Sequence, residues 1–239
     1  MTRRGRSTLP RTVLISLLAL AVGGCGSLLP GAGDGNRAAT NAPDRSRATP
    51  RAEAQAAARP GDAACFAELG RAGATFEPLP DAYEGPGCNR LGTVRLSQLT
   101  GDVAPVSIAN SGPVRCALAR TFSDWARFGV DRAARQMLGS GLSRVETMGS
   151  YSCRNIAGSN RRSAHAEAAA IDVSGFVLED GRRITLAGDW DGGSREEREF
   201  LRTVHRSACK RFGTVLGPDY NSAHEDHFHL EESGGGFCR

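Results

Sequence analysis

Ser163-Ala-His165-Ala-Glu-Ala-Ala-Ala170-Ile-Asp172 and, later in the chain, His224-Glu-Asp-His227-Phe-His229 carry four of the five histidines. Zinc sites that perform hydrolysis take three protein ligands from His, Asp and Glu and keep a fourth position for water, so this clustered supply marks a candidate metal site. Spacing then restricts the backbone. On a continuous helix His165 and Asp172 would lie about 10 Å apart along the axis, too far to share one ion. This excludes a helical ligand pair of the HExxH kind. A loop at His165 running into a strand that carries Asp172 satisfies the geometry, and Ala169 to Phe176 reads as that strand. In an extended second segment His227 and His229 project from one face about 6.6 to 6.8 Å apart, so one can ligate while the other lies beside the water. A regular strand would also turn Glu225 toward the metal and His224 and Asp226 away. A loop beginning at His224 would change that.

Around these segments the chain alternates in character. After Asp172 the strand is expected to continue to about Leu178, with Glu179-Asp-Gly181 as a hairpin turn before Arg182 to Leu186. Ser194 and Glu197 form a capping-box pattern opening a long helix to about Phe212, with Phe200, Val204, Cys209 and Phe212 facing the sheet. His205 within it reads as a surface or capping residue. Gly213 and Gly217-Pro-Asp-Tyr-Asn221 then turn the chain into the segment with His227 and His229.

Upstream, Asp62 to Arg71 is expected as a short helix and Arg90 to Leu99 as a strand. Asn110-Ser-Gly-Pro113 precedes a helix over Val114 to Phe128, in which Val114, Leu118, Phe122 and Trp125 recur at helical spacing. Phe122 and Trp125 read as core rather than as a sugar platform. A second helix is expected over Val130 to Leu138, ended by Gly139 to Gly141, followed by a strand from Leu142 to Ser150. Helices first and an antiparallel sheet afterwards define an α+β class, with helices packed on a small sheet that carries the site.

The remaining features speak for export. Residues 1–25 combine a basic start (Arg3, Arg4, Arg6, Arg11), an apolar run from Thr12 to Val22 and small residues before Cys25, the pattern of a secretory signal. Residues 26–62 are rich in Gly, Ala, Pro, Arg and Asp and read as a flexible linker. The domain proper is expected over 63–239. The net charge of +4 is partly carried by the first two segments, and Lys210 is the only lysine, so nothing here argues for a nucleic-acid partner. Besides Cys25, the cysteines are Cys65, Cys88, Cys116, Cys153, Cys209 and Cys238. An even number in an exported domain predicts three disulfides, without choosing their pairing, and the close C-x2-C pairs of zinc-thiolate clusters are missing.

Leu20-Ala-Val-Gly-Gly-Cys25 resembles a bacterial lipobox, which implies lipidation of Cys25 and a membrane attachment through acyl chains; the alternative is an ordinary cleaved signal. Gly26 rather than Asp after that cysteine, by analogy with lipoproteins, implies the periplasmic face of the outer membrane. Ser163, His165, Ala170 and Asp172 followed by His227 and His229 resemble the zinc peptidases of bacterial cell-wall peptides. That group contains D-Ala-D-Ala carboxypeptidases and murein endopeptidases, with the pattern SxHxxGxAxD and a later HxH or ExxH. The resemblance implies a hedgehog/D-Ala-D-Ala peptidase-like fold, Zn2+ held by His165, Asp172 and His229, and peptidoglycan or its stem peptides as substrate. His227 is the first choice of acid/base group, His224 the second and Asp226 the third. Arg154, in Gly149-Ser-Tyr-Ser-Cys-Arg154, is the implied oxyanion or carboxylate contact, with a structural ion pair as its alternative role. Where the pattern has glycine this chain has Ala168, so a positive φ there would carry a cost. More narrowly, Cys65 to Arg239 is similar to the bacterial extensin-like C-terminal domain family through GSYSCR, AxAIDVxGF, FLRxVHxxAC, LGPDYN and a final Cys-Arg. The expected activity is that of a lipid-anchored zinc peptidase of the cell envelope. The alternative is a wall-binding or structural module that keeps the fold without turnover.

Overall fold

The computed structural model describes residues 58–232 and 235–239. The expected signal, most of the linker and the Cys25 lipidation site lie outside the described residues. Helix α1 (Pro60–Arg71) opens the described fold. Six strands follow: β1 (Thr75–Pro78), β2 (Ala82–Gly85), β3 (Cys88–Arg90), β4 (Thr93–Thr100), β5 (Pro105–Ala109) and β6 (Val114–Arg115). Helix α2 (Cys116–Trp125) runs through a π-helical turn at Ala126–Asp131 into α3 (Arg132–Leu138). Then come β7 (Leu142–Gly149), β8 (Ala170–Leu178), β9 (Arg183–Thr185), α4 (Leu186–Gly192), α5 (Arg195–Cys209), β10 (Thr214–Leu216), β11 (Phe228–Glu231) and β12 (Phe237–Cys238).

The fold is α+β, as read from the sequence, but the sheet is not small, and after α1 the helices alternate with strands instead of preceding them. Ten strands form one sheet in the order β1-β4-β5-β7-β8-β11-β10-β12, with β6 on β4 and β9 on β8, while β2 and β3 make a separate hairpin. Nor is the sheet wholly antiparallel, since β5 runs parallel to β7 and β10 parallel to β12. The reason is length. Strands of two to five residues such as β1, β6 and β10 are too short to show a period, and their pairing partners, not their own pattern, hold them extended.

β8 is the spine of the site half, paired with β7 on one side and β11 on the other. Its long run of buried residues reflects that position. The helical layer meets the sheet through a ring cluster. Trp125 lies 5.7 Å from Phe122 and 6.0 Å from both Phe176 and Phe212, and Phe176 lies 5.7 Å from Phe200. Its indole Nε1 donates to the Val204 carbonyl of α5 at 3.1 Å, so the polar edge of a fully buried ring is satisfied. Phe122 and Trp125 are core residues, as their spacing predicted.

The break expected between Phe128 and Val130 is absent. The chain stays helical because Gly129 sits where a Cβ would meet Ser207 Oγ at 2.5 Å and Trp125 Cδ1 at 2.9 Å, so the glycine serves close approach to α5 instead of termination. Asp131, fully buried, accepts from the Asp102 and Leu142 amides at 2.8 Å each and thereby ties the helix to the turn after β4 and to the start of β7. The capping box at Ser194 and Glu197 is present, and the turn at residues 179–181 has Gly181 at φ 87°. His205 is not a surface residue. Its ring packs 5.2 Å from Phe228 and 5.9 Å from Trp190, and burial lowers its pKa.

Three disulfides form, as the cysteine count predicted: Cys65–Cys116 joins α1 to α2, Cys88–Cys153 joins β3 to the loop after β7, and Cys209–Cys238 joins α5 to β12. They close loops of 51, 65 and 29 residues, each worth about 3 to 4 kcal/mol in the chain-entropy description.

Ala168 adopts φ 54° and ψ 25°, the left-handed region. A non-glycine residue there costs about 1–2 kcal/mol, while its fully buried methyl returns about 0.8 kcal/mol. Ala168→Gly is therefore expected to change stability by less than about 1 kcal/mol, although it removes a buried group. Ala168→Val, β-branched at positive φ, should lose more than about 2 kcal/mol. Denaturant unfolding of both variants checks this, and a Gly variant as damaged as the Val variant would contradict it.

Candidate metal centre

Local sequence explains how His165 and Asp172 meet. Ser163, extended, accepts the His165 amide on its hydroxyl at 3.4 Å and starts a 3-10 turn over Ala164–Glu167. The left-handed Ala168 then reverses the chain into β8, its amide donating to the His165 carbonyl at 3.1 Å. Ala166, Ala168, Ala169 and Ala170 are all buried, which is why this stretch is almost wholly alanine. His229 comes from the neighbouring strand, since β11 pairs antiparallel with β8 in a register that sets it directly opposite Asp172. Directly opposed residues share a face, while Phe228 and Leu230 turn to the core.

The three side chains converge. His165 Nε2 lies 3.0 Å from His229 Nδ1 and 3.2 Å from Asp172 Oδ2, and His229 Nδ1 lies 2.9 Å from Asp172 Oδ1. Ligands of a tetrahedral zinc with bonds of 2.0 to 2.1 Å stand about 3.3 Å apart, so these separations, which involve both oxygens of Asp172, are near those such an ion requires. The outer nitrogens are engaged elsewhere. His165 Nδ1 donates to the Ser150 carbonyl at 2.7 Å and His229 Nε2 to Glu231 Oε1 at 2.9 Å. This fixes the tautomers so that both inner nitrogens offer lone pairs toward one point. Two such lone pairs 3.0 Å apart repel unless a proton or a cation lies between them.

The electrostatics agree. Burial pushes the Asp172 carboxyl up, but hydrogen bonds and charge from His165 and His229 outweigh this and hold it well below the usual carboxylate range. Burial would lower the His229 pKa, yet Asp172 and Glu231 raise it to about 9. A proton thus occupies the cluster when no cation does.

The other predicted residues lie around this triangle. His227, 8% exposed, donates Nδ1–H to Asp226 Oδ1 at 2.7 Å and sets Nε2 3.7 Å from Asp172 Oδ1. His224 does not turn away. β11 begins only at Phe228, and a 3-10 turn over Ser222–His224 brings the His224 ring within 5.2 Å of His227 and 5.8 Å of His229. Its Nδ1 donates to Asn221 Oδ1 at 2.7 Å. Burial, together with the charges of His227 and His229, lowers its pKa to about 4, so it is neutral near pH 7. Arg154 is exposed, its charge reaches His224, and among the described residues no side-chain hydrogen bond or ion pair engages its guanidinium. Among the described residues it makes no structural ion pair. Sequence reasoning missed Ser150 and Glu231, the acceptors that orient the two histidines. The HxHxE spacing of residues 227–231 held the signal for Glu231, two residues along a strand from His229 and hence on its face.

A groove lined by Arg59, Asp62, Leu91, Arg115 and Glu232 lies elsewhere and includes none of these residues; its arginines are ion-paired to Asp62 and Glu167. No helix among the described residues is long and apolar enough to cross a membrane.

Fold and site together define a disulfide-bonded α+β domain with a buried His-Asp-His cluster at the junction of two strands. The chain belongs to the family described as extensin-like protein C-terminus, whose profile matches residues 63–239. No curated protein and no solved structure matches it.

In the metal-free protein the raised His229 pKa makes a signed prediction. Its stabilising effect is complete below the ordinary value of 6.5 and is lost as pH rises through about 9. Chelator-treated protein should therefore lose stability between those values, and His229→Asn should lack that slope. An identical slope in both would contradict the assignment.

Proposed function

We propose that the protein is a zinc-dependent peptidase acting on peptidoglycan peptides, as a carboxypeptidase or endopeptidase. The observation that carries this reading is the convergence of two tautomer-fixed imidazoles and a buried carboxylate at spacings that suit zinc. The resemblance of the SxHxxxxAxD and HxH segments to the pattern of D-Ala-D-Ala carboxypeptidases and murein endopeptidases supports it. In this reading His165, Asp172 and His229 hold the ion, which supplies Lewis acidity toward a scissile carbonyl.

The chain's own groups supply the rest. Because His227 donates Nδ1–H to Asp226, its Nε2 is the free acceptor and faces the cluster. It takes the proton of the attacking water and delivers it to the leaving amine, and the Asp226 carboxylate stabilises the imidazolium between these events. His224, neutral and held by Asn221, lines the same opening. Arg154, which makes no side-chain ion pair among the described residues, offers paired donors to a substrate carboxylate. Burial of the histidines excludes bulk water from their inner faces. The proposed setting is the bacterial cell envelope, with the Cys25 lipid and the linker holding the domain on the periplasmic face of the outer membrane, within reach of the wall.

His227→Ala should retain zinc and lose about 10²- to 10⁴-fold in turnover of muropeptides, measured by chromatography of digests, while Asp226→Asn loses less. Zinc binding without any released product from the wild-type protein would leave the non-catalytic wall-binding module as the correct reading.

A further inference from the structure

A row of rings leads away from the His-Asp-His cluster. His224, 5.8 Å from His229, is followed by Tyr220 at 5.4 Å and then by Phe237 at 5.7 Å from Tyr220, crossing it at 82°. Tyr220 and Phe237 are 42% and 44% exposed, in a protein whose Phe122, Phe176, Phe200 and Phe228 are fully buried. Phe128 is also partly exposed, but the guanidinium groups of Arg127 and Arg132 cover its ring at 5.0 and 4.7 Å. Nothing comparable covers Tyr220, whose only ring contacts among the described residues are His224 and Phe237.

The placement is built. Cys238 is bonded to Cys209 of α5, β12 pairs with β10, and the Arg239 carbonyl accepts the Gly217 amide at 2.8 Å, so the C-terminal strand is fastened where it presents Phe237 to Tyr220. Polar residues adjoin both rings in the chain. Arg239 sits 5.7 Å over Phe237, and Asp219 and Asn221 flank Tyr220 in sequence. Two rings form too small an apolar area for a membrane surface or an amphipathic helix. Partly exposed ring faces with polar residues next to them in the chain instead match the pyranose ring, whose C–H groups carry partial positive charge toward a π-face while its hydroxyls lie at the perimeter.

We infer that Tyr220 and Phe237 form a saccharide subsite beside the cluster, which receives a sugar of a glycan strand and so selects peptides still attached to that strand. The inference rests on the proposed action on peptidoglycan peptides. Saccharide binding is nevertheless measurable without turnover, so the two can fail separately.

The test titrates the full-length, oxidised protein with a soluble β-1,4-linked N-acetylglucosamine oligomer by calorimetry. Wild type should bind. Tyr220→Leu, which keeps bulk and removes the π-face, and Phe237→Ala should each weaken binding at least about fivefold. Tyr220→Phe should bind like wild type, and Phe128→Ala should change nothing. Zinc content and thermal midpoint, recorded for every variant, identify a variant that has merely lost its fold. No binding by wild type, unchanged binding in folded Tyr220→Leu and Phe237→Ala, or binding only to anionic phospholipid vesicles would each overturn the subsite. Saccharide binding that depends on both rings while muropeptides stay uncut would leave the subsite standing and remove the peptidase.

Discussion

The antiparallel pairing of β8 with β11 is the constraint on which the site depends. Side chains alternate faces along a strand, so a slip of one residue would point His229 into the core and bring Phe228 or Leu230 over Asp172. The register is held from the other face: Ile171, Val173, Phe228 and Leu230 are fully buried, and Phe228 packs against Trp190 and His205. Hydrophobic burial thus sets a polar geometry. His165 joins from outside the ladder, and its approach depends on a turn that places an alanine in a conformation better suited to glycine.

Around this pair the protein uses second partners to decide protonation. Ser150 and Glu231 take the outer N–H groups of the two ligand-type histidines, Asp226 takes that of His227, and Asn221 that of His224. Each acceptor takes one ring N–H, and in His165 and His229 this leaves the opposite nitrogen facing the cluster. The same four-histidine cluster without them would have no single arrangement. The Cys88–Cys153 and Cys209–Cys238 disulfides fasten the loop of Arg154 and the strand of Phe237.

Much of this was legible because some residue types tolerate few roles. A His and an Asp seven residues apart could meet only through a loop and strand, which is how 164–172 folds. The Ser194 capping box, the hairpin glycine and the helical spacing of Leu118, Phe122 and Trp125 are local signals with local causes. The breadth of the sheet was not legible, because β1, β6 and β10 owe their extension to neighbours distant in sequence. The orientation of His224 was hidden for a related reason. A regular strand through residues 224–229 would turn it outward, and only the cap from Asn221, which shortens that strand to Phe228, turns it in. Gly129, between the two expected helices, acts as a point of close contact with α5 inside one continuous helical run.

The most direct measurement is the zinc content of the purified, oxidised full-length protein beside His165→Ala and His229→Ala. Close to one zinc per chain is expected in the wild type, with loss in both variants and the fold intact. A folded wild-type protein that takes up no zinc, even when metal is added, would contradict it.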